Sequence, residues 1–161
     1  MALYTEIKSD FNKAVEIFDS FTTDDKLALL WFIYEKMGNS ITPAAPNAAE
    51  PAIAGGLFEQ VGEKSQEEQL EIMRDIVSRK DTEYSRQYGG FSANTKLAFW
   101  YFLAKGMVEG LIIPMPDQYD LGDAENEWLG SIESLEFNTQ ITVLRELADH
   151  MGIDPTANVS V

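Results

Sequence analysis

The chain has 161 residues, a size that suits one domain with a sizeable core, and 45% of them are hydrophobic, which excludes a disordered protein. The 27 acidic residues outnumber the 12 basic ones, and the resulting net charge of -15 argues against binding to nucleic acid or to anionic membrane surfaces. With no cysteine and one histidine, the chain lacks a thiolate nucleophile, disulfides and a Cys- or His-rich metal site.

Apolar spacing and capping signals predict helices along the whole chain, which gives an all-α fold in a single domain spanning residues 1–161. No alternating β pattern is present. An apolar, proline-containing segment at 111–116 is predicted to be extended. Residues 39–56 are predicted to be largely loop, and residues 154–161 are predicted to form a short disordered tail. The predicted helices cover about residues 6–20, 23–37, 53–61, 66–77, 81–88, 93–109, 123–135 and 139–151.

The sequence repeats itself at an offset of about 70 residues. Residues 21–28 return as 91–98, each with a polar cap and Lys-Leu-Ala, and an aromatic cluster follows each copy at 31–34 and 99–102. Residues 69–76 are similar to 140–147. Two copies are too few for a solenoid, so we expect two related helical halves packed into one globule about a pseudo-twofold axis.

The repeated helices carry aromatic stripes. The first stripe is Leu27, Leu30, Trp31, Tyr34 and Met37, and the second is Leu97, Trp100, Tyr101, Ala104 and Met107. Such stripes usually form plain core. Here Trp and Tyr stand where Leu or Ile would pack as well, and soft Met side chains accompany them. The pattern therefore also suits a long apolar slot, which the extended segment before Tyr119 can close.

Little in the sequence points to catalysis. His150 lies near the end of the last predicted helix, where it can offset the negative helix terminus. The carboxylates gather at predicted helix N-termini, where the macrodipole favours acids. No pairing suggests a catalytic constellation or a metal site, so we expect the protein not to be an enzyme.

Several long blocks resemble the N-terminal domain of the cyanobacterial orange carotenoid protein, in order and in spacing. They are 27–38 (LALLWFIYEKMG), 44–46 (AAP), 96–101 (KLAFWY), 114–119 (PMP followed two residues later by Tyr119), 140–145 (QITVLR) and 151–152 (MG). The resemblance implies two interleaved four-helix bundles that hold a noncovalent ketocarotenoid of the canthaxanthin or echinenone type. No counterpart of the family's second domain follows within these 161 residues.

Carried over by position, the resemblance implies three groups of binding residues. Trp31, Tyr34 and Trp100 are expected around the pigment's end ring, and Arg145 near its other end. The polyene tunnel is expected to comprise Leu27, Leu30, Met73, Leu97, Tyr101, Met107, Met115, Pro116, Tyr119 and Ile141, and the site also includes Met37 and Ile41.

The implied function is photoprotection by quenching of singlet oxygen, with excited antenna pigment as a further target and no photoswitching. The alternative is a pigment-free or pigment-shuttling helical module that docks to phycobilisomes or to a separate carotenoid-donor homologue of the family's second domain. Glu146 beside Arg145, together with the acidic surface, puts phycobilisome docking in doubt. We expect a cytoplasmic cyanobacterial protein located near thylakoids, with peripheral membrane contact during pigment uptake left open.

Overall fold

The computed structural model describes residues 11–37, 51–116 and 119–154. Within these ranges the chain forms helices and no strands, so the predicted all-α class is confirmed. Residues 38–50 and those after 154 lie outside the described ranges, so most of the predicted loop and the predicted disordered tail are untested. Residues 51–56 were also predicted to be largely loop, but they are helical, because proline suits the first position of a helix. The helices are α1 (Phe11–Asp19), α2 (Thr23–Met37), α3 (Pro51–Gly62), α4 (Gln66–Val77), α5 (Glu83–Gly89), α6 (Ala93–Glu109), α7 (Asp123–Glu133) and α8 (Phe137–Asp149).

Side-chain caps begin several of these helices. Ser65 Oγ accepts the Glu68 N–H at 3.2 Å while the Ser65 N–H donates to Glu68 Oε1 at 3.4 Å, so α4 starts in a full capping box. Ser92 caps α6 by accepting the Thr95 N–H at 3.2 Å. These caps satisfy N–H groups that have no partner inside the helix.

The last two helices differ slightly from the prediction. Helix α7 ends at Glu133, and α8 begins at Phe137, two residues earlier than expected. The buried side chain of Gln140 explains the tight junction, because its Nε2 donates to the carbonyls of Ile132 and Glu133 at 3.0 and 3.1 Å. Those carbonyls belong to the last turn of α7 and would otherwise lack partners.

The two halves of the chain exchange helices. Helix α2 packs against α4 and α7, and α6 packs in the same way against α8 and α3. Helix α1 lies on α7 and α8, while α5 lies on α3 and α4. These pairs correspond when α1–α4 are matched in order to α5–α8, as the sequence repeat predicts. The two groups α1, α2, α7, α8 and α3–α6 are the interleaved bundles.

One continuous core joins the helices, and its largest fully buried side chains are Trp128, Tyr88, Phe18 and Phe99. No helix in the described part of the chain is long and apolar enough to span a membrane. Across the same ranges, no group of three or more His, Asp or Glu side chains is arranged to hold a metal ion.

Residues after α8 dock on α4 and α5 through backbone contacts. The Gly152 N–H donates to Ile76 O at 2.9 Å and the Ile153 N–H donates to Ser85 O at 3.0 Å. Gly89 makes this approach possible, because a Cβ at that position would overlap the carbonyl oxygen of Ile153. The missing side chain at the end of α5 is thus a packing requirement.

We predict that Gly89→Ala lowers the free energy of unfolding by about 1–3 kcal/mol, since the new methyl group must push residue 153 away from α5. Gly130→Ala is the matched control. It lies inside α7, and a Cβ added there would have no neighbour within 4 Å, so it should raise stability by up to about 1 kcal/mol. Urea denaturation followed by far-UV circular dichroism measures both, and equal stability of the two variants would refute the close approach.

Candidate functional site

An apolar cavity of about 250 Å³ lies between α2 and α6. A space of roughly 10–15 Å³ on this measure already holds a water molecule, so the cavity is far larger than a packing defect. Helices α2 and α6 form two walls, α4 and the extended segment after α6 contribute two more, and α8 contributes Leu144.

The cavity is elongated along both aromatic helices. Asp24 and Tyr34 both line it and are ten residues apart on α2, a rise of about 15 Å. Leu97 and Met107 span the same distance on α6. The space therefore has the shape of a slot, which suits a rod-like ligand better than a compact one.

Twelve of the sixteen predicted site residues line this slot. They are Leu27, Leu30, Trp31, Tyr34, Met73, Leu97, Trp100, Tyr101, Met107, Met115, Pro116 and Tyr119. The structure thus brings together side chains that are up to 92 positions apart in sequence (from Leu27 to Tyr119). Their role in holding a ligand stays a prediction.

The other four predicted residues are not among the side chains that the described structure places around the slot. Ile41 and the side chain of Met37 lie outside the described residues. Ile141 packs against the core without lining the slot. Arg145 does not line it either, and its Nε is buried with no hydrogen-bond partner among the described residues.

Ten further residues line the slot that were not among the predicted site residues, and they are Asp24, Ala28, Ile33, Leu70, Arg74, Leu103, Ala104, Ile113, Pro114 and Leu144. Ala104 stood in the second stripe, and Ile113 and Pro114 in the extended segment. The repeat held a signal for others, because it aligns Met73 with Leu144 and Arg74 with Arg145. Met73, Arg74 and Leu144 line the slot, and Arg145 does not.

Charged side chains mark the end of the slot at the start of α2. Arg74 Nε donates to Asp24 Oδ1 at 2.8 Å and its Nη2 donates to Oδ2 at 3.2 Å, while Glu71 lies 3.5 Å from Nη1. The hydrogen bond that Arg74 donates to Asp24 raises the pKa of Arg74 above its usual value. Because these groups are substantially exposed, we expect the pair to orient the rim more than to stabilise the fold.

Tyr119 closes one side of the slot and is tied to α2. Its hydroxyl donates to Asp25 Oδ1 at 2.7 Å, and desolvation, followed by this contact, raises the pKa of Tyr119 well above its usual range. A hydrogen bond between Asp25 and Glu125 lowers the pKa of Asp25 and raises that of Glu125. Glu125 is therefore the member of the pair that takes up a proton first as the pH falls, which leaves Asp25 ionised as the acceptor for Tyr119.

Aromatic rings cluster toward the other end of α2. Trp31 stacks on Tyr34 with ring centroids 6.0 Å apart, and Tyr34 meets Tyr101 edge-on at 5.6 Å. Burial, and then the neighbouring Tyr101, raise the pKa of Tyr34. The rings present broad apolar faces with polar tips, an arrangement suited to a flat ring at the end of an apolar ligand.

Gln69 holds the extended wall in place. Its buried side chain donates from Nε2 to Lys64 O at 3.2 Å and to Leu111 O at 3.3 Å, and its Oε1 accepts the Ile113 N–H at 2.8 Å. The segment after α6 would otherwise have unpaired backbone groups in an apolar setting. Gln69 therefore positions residues 113–116, which form this side of the slot.

The fold and the slot define a class of all-helical proteins with an elongated apolar ligand cavity, and comparison with known proteins narrows the class. A family model described as "Orange carotenoid protein, N-terminal" matches residues 4–154. An "Orange carotenoid-binding domain-containing protein" of Nostoc sp. PCC 7120 is 44% identical over 144 residues, covering 89% of this chain and 84% of the relative. The chain belongs to the family of orange carotenoid protein N-terminal domains.

Solved structures agree with this assignment. The Red Carotenoid Protein of Anabaena (Nostoc) sp. PCC 7120 binding canthaxanthin matches with a TM-score of 0.80 at 42% identity, covering 88% of this chain and 97% of that one. The Orange Carotenoid Protein of the same organism binding canthaxanthin matches with a TM-score of 0.81 at 38% identity, covering 89% of this chain and 47% of that one. The chain thus spans nearly all of the first protein and about half of the second. Homologues in this family bind carotenoids.

We predict that Gln69→Ala speeds hydrogen exchange of the Ile113 amide about tenfold or more and lowers the free energy of unfolding by about 1–3 kcal/mol, because it leaves partly buried backbone groups unpaired. Gln66→Ala, an exposed position at the start of the same helix, is the control and should change neither quantity. Amide exchange measured by NMR and urea denaturation provide the two readouts. Unchanged Ile113 exchange in Gln69→Ala would show that the segment is held by packing instead.

Proposed function

We propose that this chain is a carotenoid-binding photoprotective protein that acts without enzymatic turnover. The observation that carries the proposal is the slot between α2 and α6, which is apolar along about 15 Å and flanked by aromatic rings. Family membership supports the same conclusion, because the relative that covers nearly the same length was solved with canthaxanthin.

The physical chemistry of the slot suits a polyene. A carotenoid is a rigid apolar rod, so it loses little conformational entropy on binding. Burial of its surface contributes roughly 25 cal/mol per Å². Among the side chains that line the slot, Met73, Met107 and Met115 supply soft contacts that adapt to an irregular ligand. A noncovalent complex needs no further chemistry from the protein.

We assign the ends of the site as follows. Trp31, Tyr34 and Trp100 pack around one end ring, and the other predicted lining residues enclose the polyene. Ile141 and Arg145, which lie off the slot, meet the pigment only where it extends past the described cavity. We propose that Met37 and Ile41 also belong to the binding site.

The pigment is proposed to be a ketocarotenoid of the canthaxanthin or echinenone type. Two relatives solved with canthaxanthin support this choice. When bound, such a polyene accepts excitation energy into a low triplet state and releases it as heat. The chain encloses the polyene, keeps water away from it and keeps it dispersed as single molecules. This role works in one conformation, so the proposal includes no light-driven switch.

The acidic surface bears on which partners the protein can approach. Acidic residues outnumber basic ones by 27 to 12, and Glu146 lies beside Arg145. Like-charged surfaces repel at long range, which slows encounter with an acidic antenna complex. We therefore propose singlet oxygen as the main target, with phycobilisome docking secondary. A separate carotenoid-donor protein and brief membrane contact are the proposed routes of pigment loading, in the cytoplasm near thylakoids.

The slot assignment predicts that Tyr34→Ala weakens pigment retention about tenfold or more, since it removes a ring from the proposed end-ring site. The melting temperature should fall by only about 5 °C, because Tyr34 is just partly buried. Tyr84→Ala is the control, being a partly buried tyrosine that packs on the core without lining the slot. Pigment-to-protein ratios after expression with a ketocarotenoid, and thermal melts, measure both effects. Colourless wild-type protein would favour the pigment-free interaction module.

The charge argument predicts that pigment-loaded protein shortens the lifetime of singlet oxygen more than the apoprotein does, while phycobilisome fluorescence changes little at low salt. Oxygen is small and neutral, so the acidic surface does not hinder its approach. Singlet-oxygen phosphorescence decay and antenna fluorescence across a salt series are the two measurements. Strong quenching of antenna fluorescence with no pigment-dependent effect on singlet oxygen would mean that the two roles are reversed.

A further inference from the structure

A buried chain of hydrogen bonds runs from the slot to the end of α8. Trp100 lines the slot, and its Nε1–H donates to the hydroxyl of Tyr88 at 2.9 Å. Tyr88 in turn donates to the carbonyl of Ala148. Tyr88 is completely buried and does not line the slot, so its contacts act on Trp100 from behind.

The surroundings hold Tyr88 in a single place. Its ring meets Phe99 and Trp100 edge-on at 5.6 and 6.1 Å. Lys96 Nζ lies 5.6 Å from the ring centroid and donates to both the carbonyl and the carboxylate of Asp149. Burial raises the pKa of Tyr88 well above its usual value, so the hydroxyl keeps the proton that it donates to Ala148.

The sequence repeat shows what the architecture itself requires at these positions. At the offset of 70 residues, Tyr88 corresponds to Phe18 and Trp100 corresponds to Leu30. Phe18 is as fully buried as Tyr88. The fold therefore accepts a phenyl ring at this position. The second half, which has Trp100 where the first has Leu30, also has the Tyr88 hydroxyl that binds the indole.

We propose that Tyr88 is a positioning residue for the pigment: it fixes the plane of the Trp100 indole against the ligand and links that plane to the end of α8. This inference rests on the proposed function. The outer side-chain torsion of tryptophan has broad minima, and a hydrogen bond at Nε1 narrows the range of indole orientations. The docked residues 152–153 complete the support, since a Cβ at Gly152 would lie 2.5 Å from Tyr88 Cδ1.

The first test needs no pigment. In Tyr88→Phe, the indole N–H of Trp100 should exchange with solvent about five- to tenfold faster, because it has lost its acceptor. The indole N–H of Trp128 donates to Ala14 O at 3.1 Å in another part of the core and is the internal control. Exchange of both signals is measured by NMR. Unchanged exchange at Trp100, or an equal increase at Trp128, would overturn the positioning role.

The second test uses protein loaded with canthaxanthin. Tyr88→Phe should shift the visible absorption band and release the pigment to detergent micelles about five- to tenfold faster. Tyr84→Phe, on the same helix, should match the wild type. Ile132→Val truncates a buried side chain away from the slot, so it should lower the melting temperature without moving the band.

The controls separate the possible failures. If Ile132→Val reproduces the spectral shift and the faster release, or if Tyr88→Phe shows neither, Tyr88 contributes to stability only and the inference falls. If wild-type protein takes up no canthaxanthin, the proposed function falls, and the exchange experiment still decides whether Tyr88 holds the indole.

Discussion

The slot between the two aromatic helices constrains the rest of the structure, because an apolar cavity inside a protein lowers its stability. An empty, sealed cavity costs roughly 24 cal/mol per Å³, so about 250 Å³ corresponds to about 6 kcal/mol. That is comparable to the whole net stability of a typical domain. Several lining side chains are only partly buried, so solvent reaches the slot and the actual cost is lower. An apolar ligand bound in the slot would remove this cost and so stabilise the folded protein.

Hydrogen bonds around the slot keep its walls from collapsing inward. Gln69 ties the extended segment to α4, Tyr119 is tied to Asp25 on α2, and Tyr88 holds Trp100 from behind. Each bond is modest in net energy but costly to leave unmade in a buried setting. The polar groups thus hold apolar surfaces apart, which close packing by itself would not do.

Much of this arrangement could be predicted from the sequence, because the repeat and the helical periodicity record local choices that the fold preserves. The stripes that contain Trp31 and Trp100 identified the two main walls, and the helix predicted at 66–77 matches α4. Periodicity marks one apolar face, however, and the slot is wider than one face. Ala28, Ile33 and Leu103, which line the slot outside the two stripes, were therefore not predicted.

Other features depended on tertiary contacts that leave no local trace. Asp24 and Arg74 line the slot as charged residues, and their pairing joins helices 50 positions apart in sequence. Arg145 is the repeat counterpart of Arg74, yet only Arg74 reaches the slot. The two halves share a backbone plan but differ in the side chains that each presents, and a repeat read from sequence cannot show which copy has diverged.

The exchange of helices between the halves has a consequence for how the protein folds. The third helix of each half, α3 or α7, packs on the aromatic helix of the other, so neither half encloses a complete core of its own. The core forms only when segments distant in sequence meet, which raises the contact order and slows the search. Unfolding should then be a single cooperative event. A cut between α4 and α5 would yield two fragments that gain structure by complementation and do not behave as independent domains.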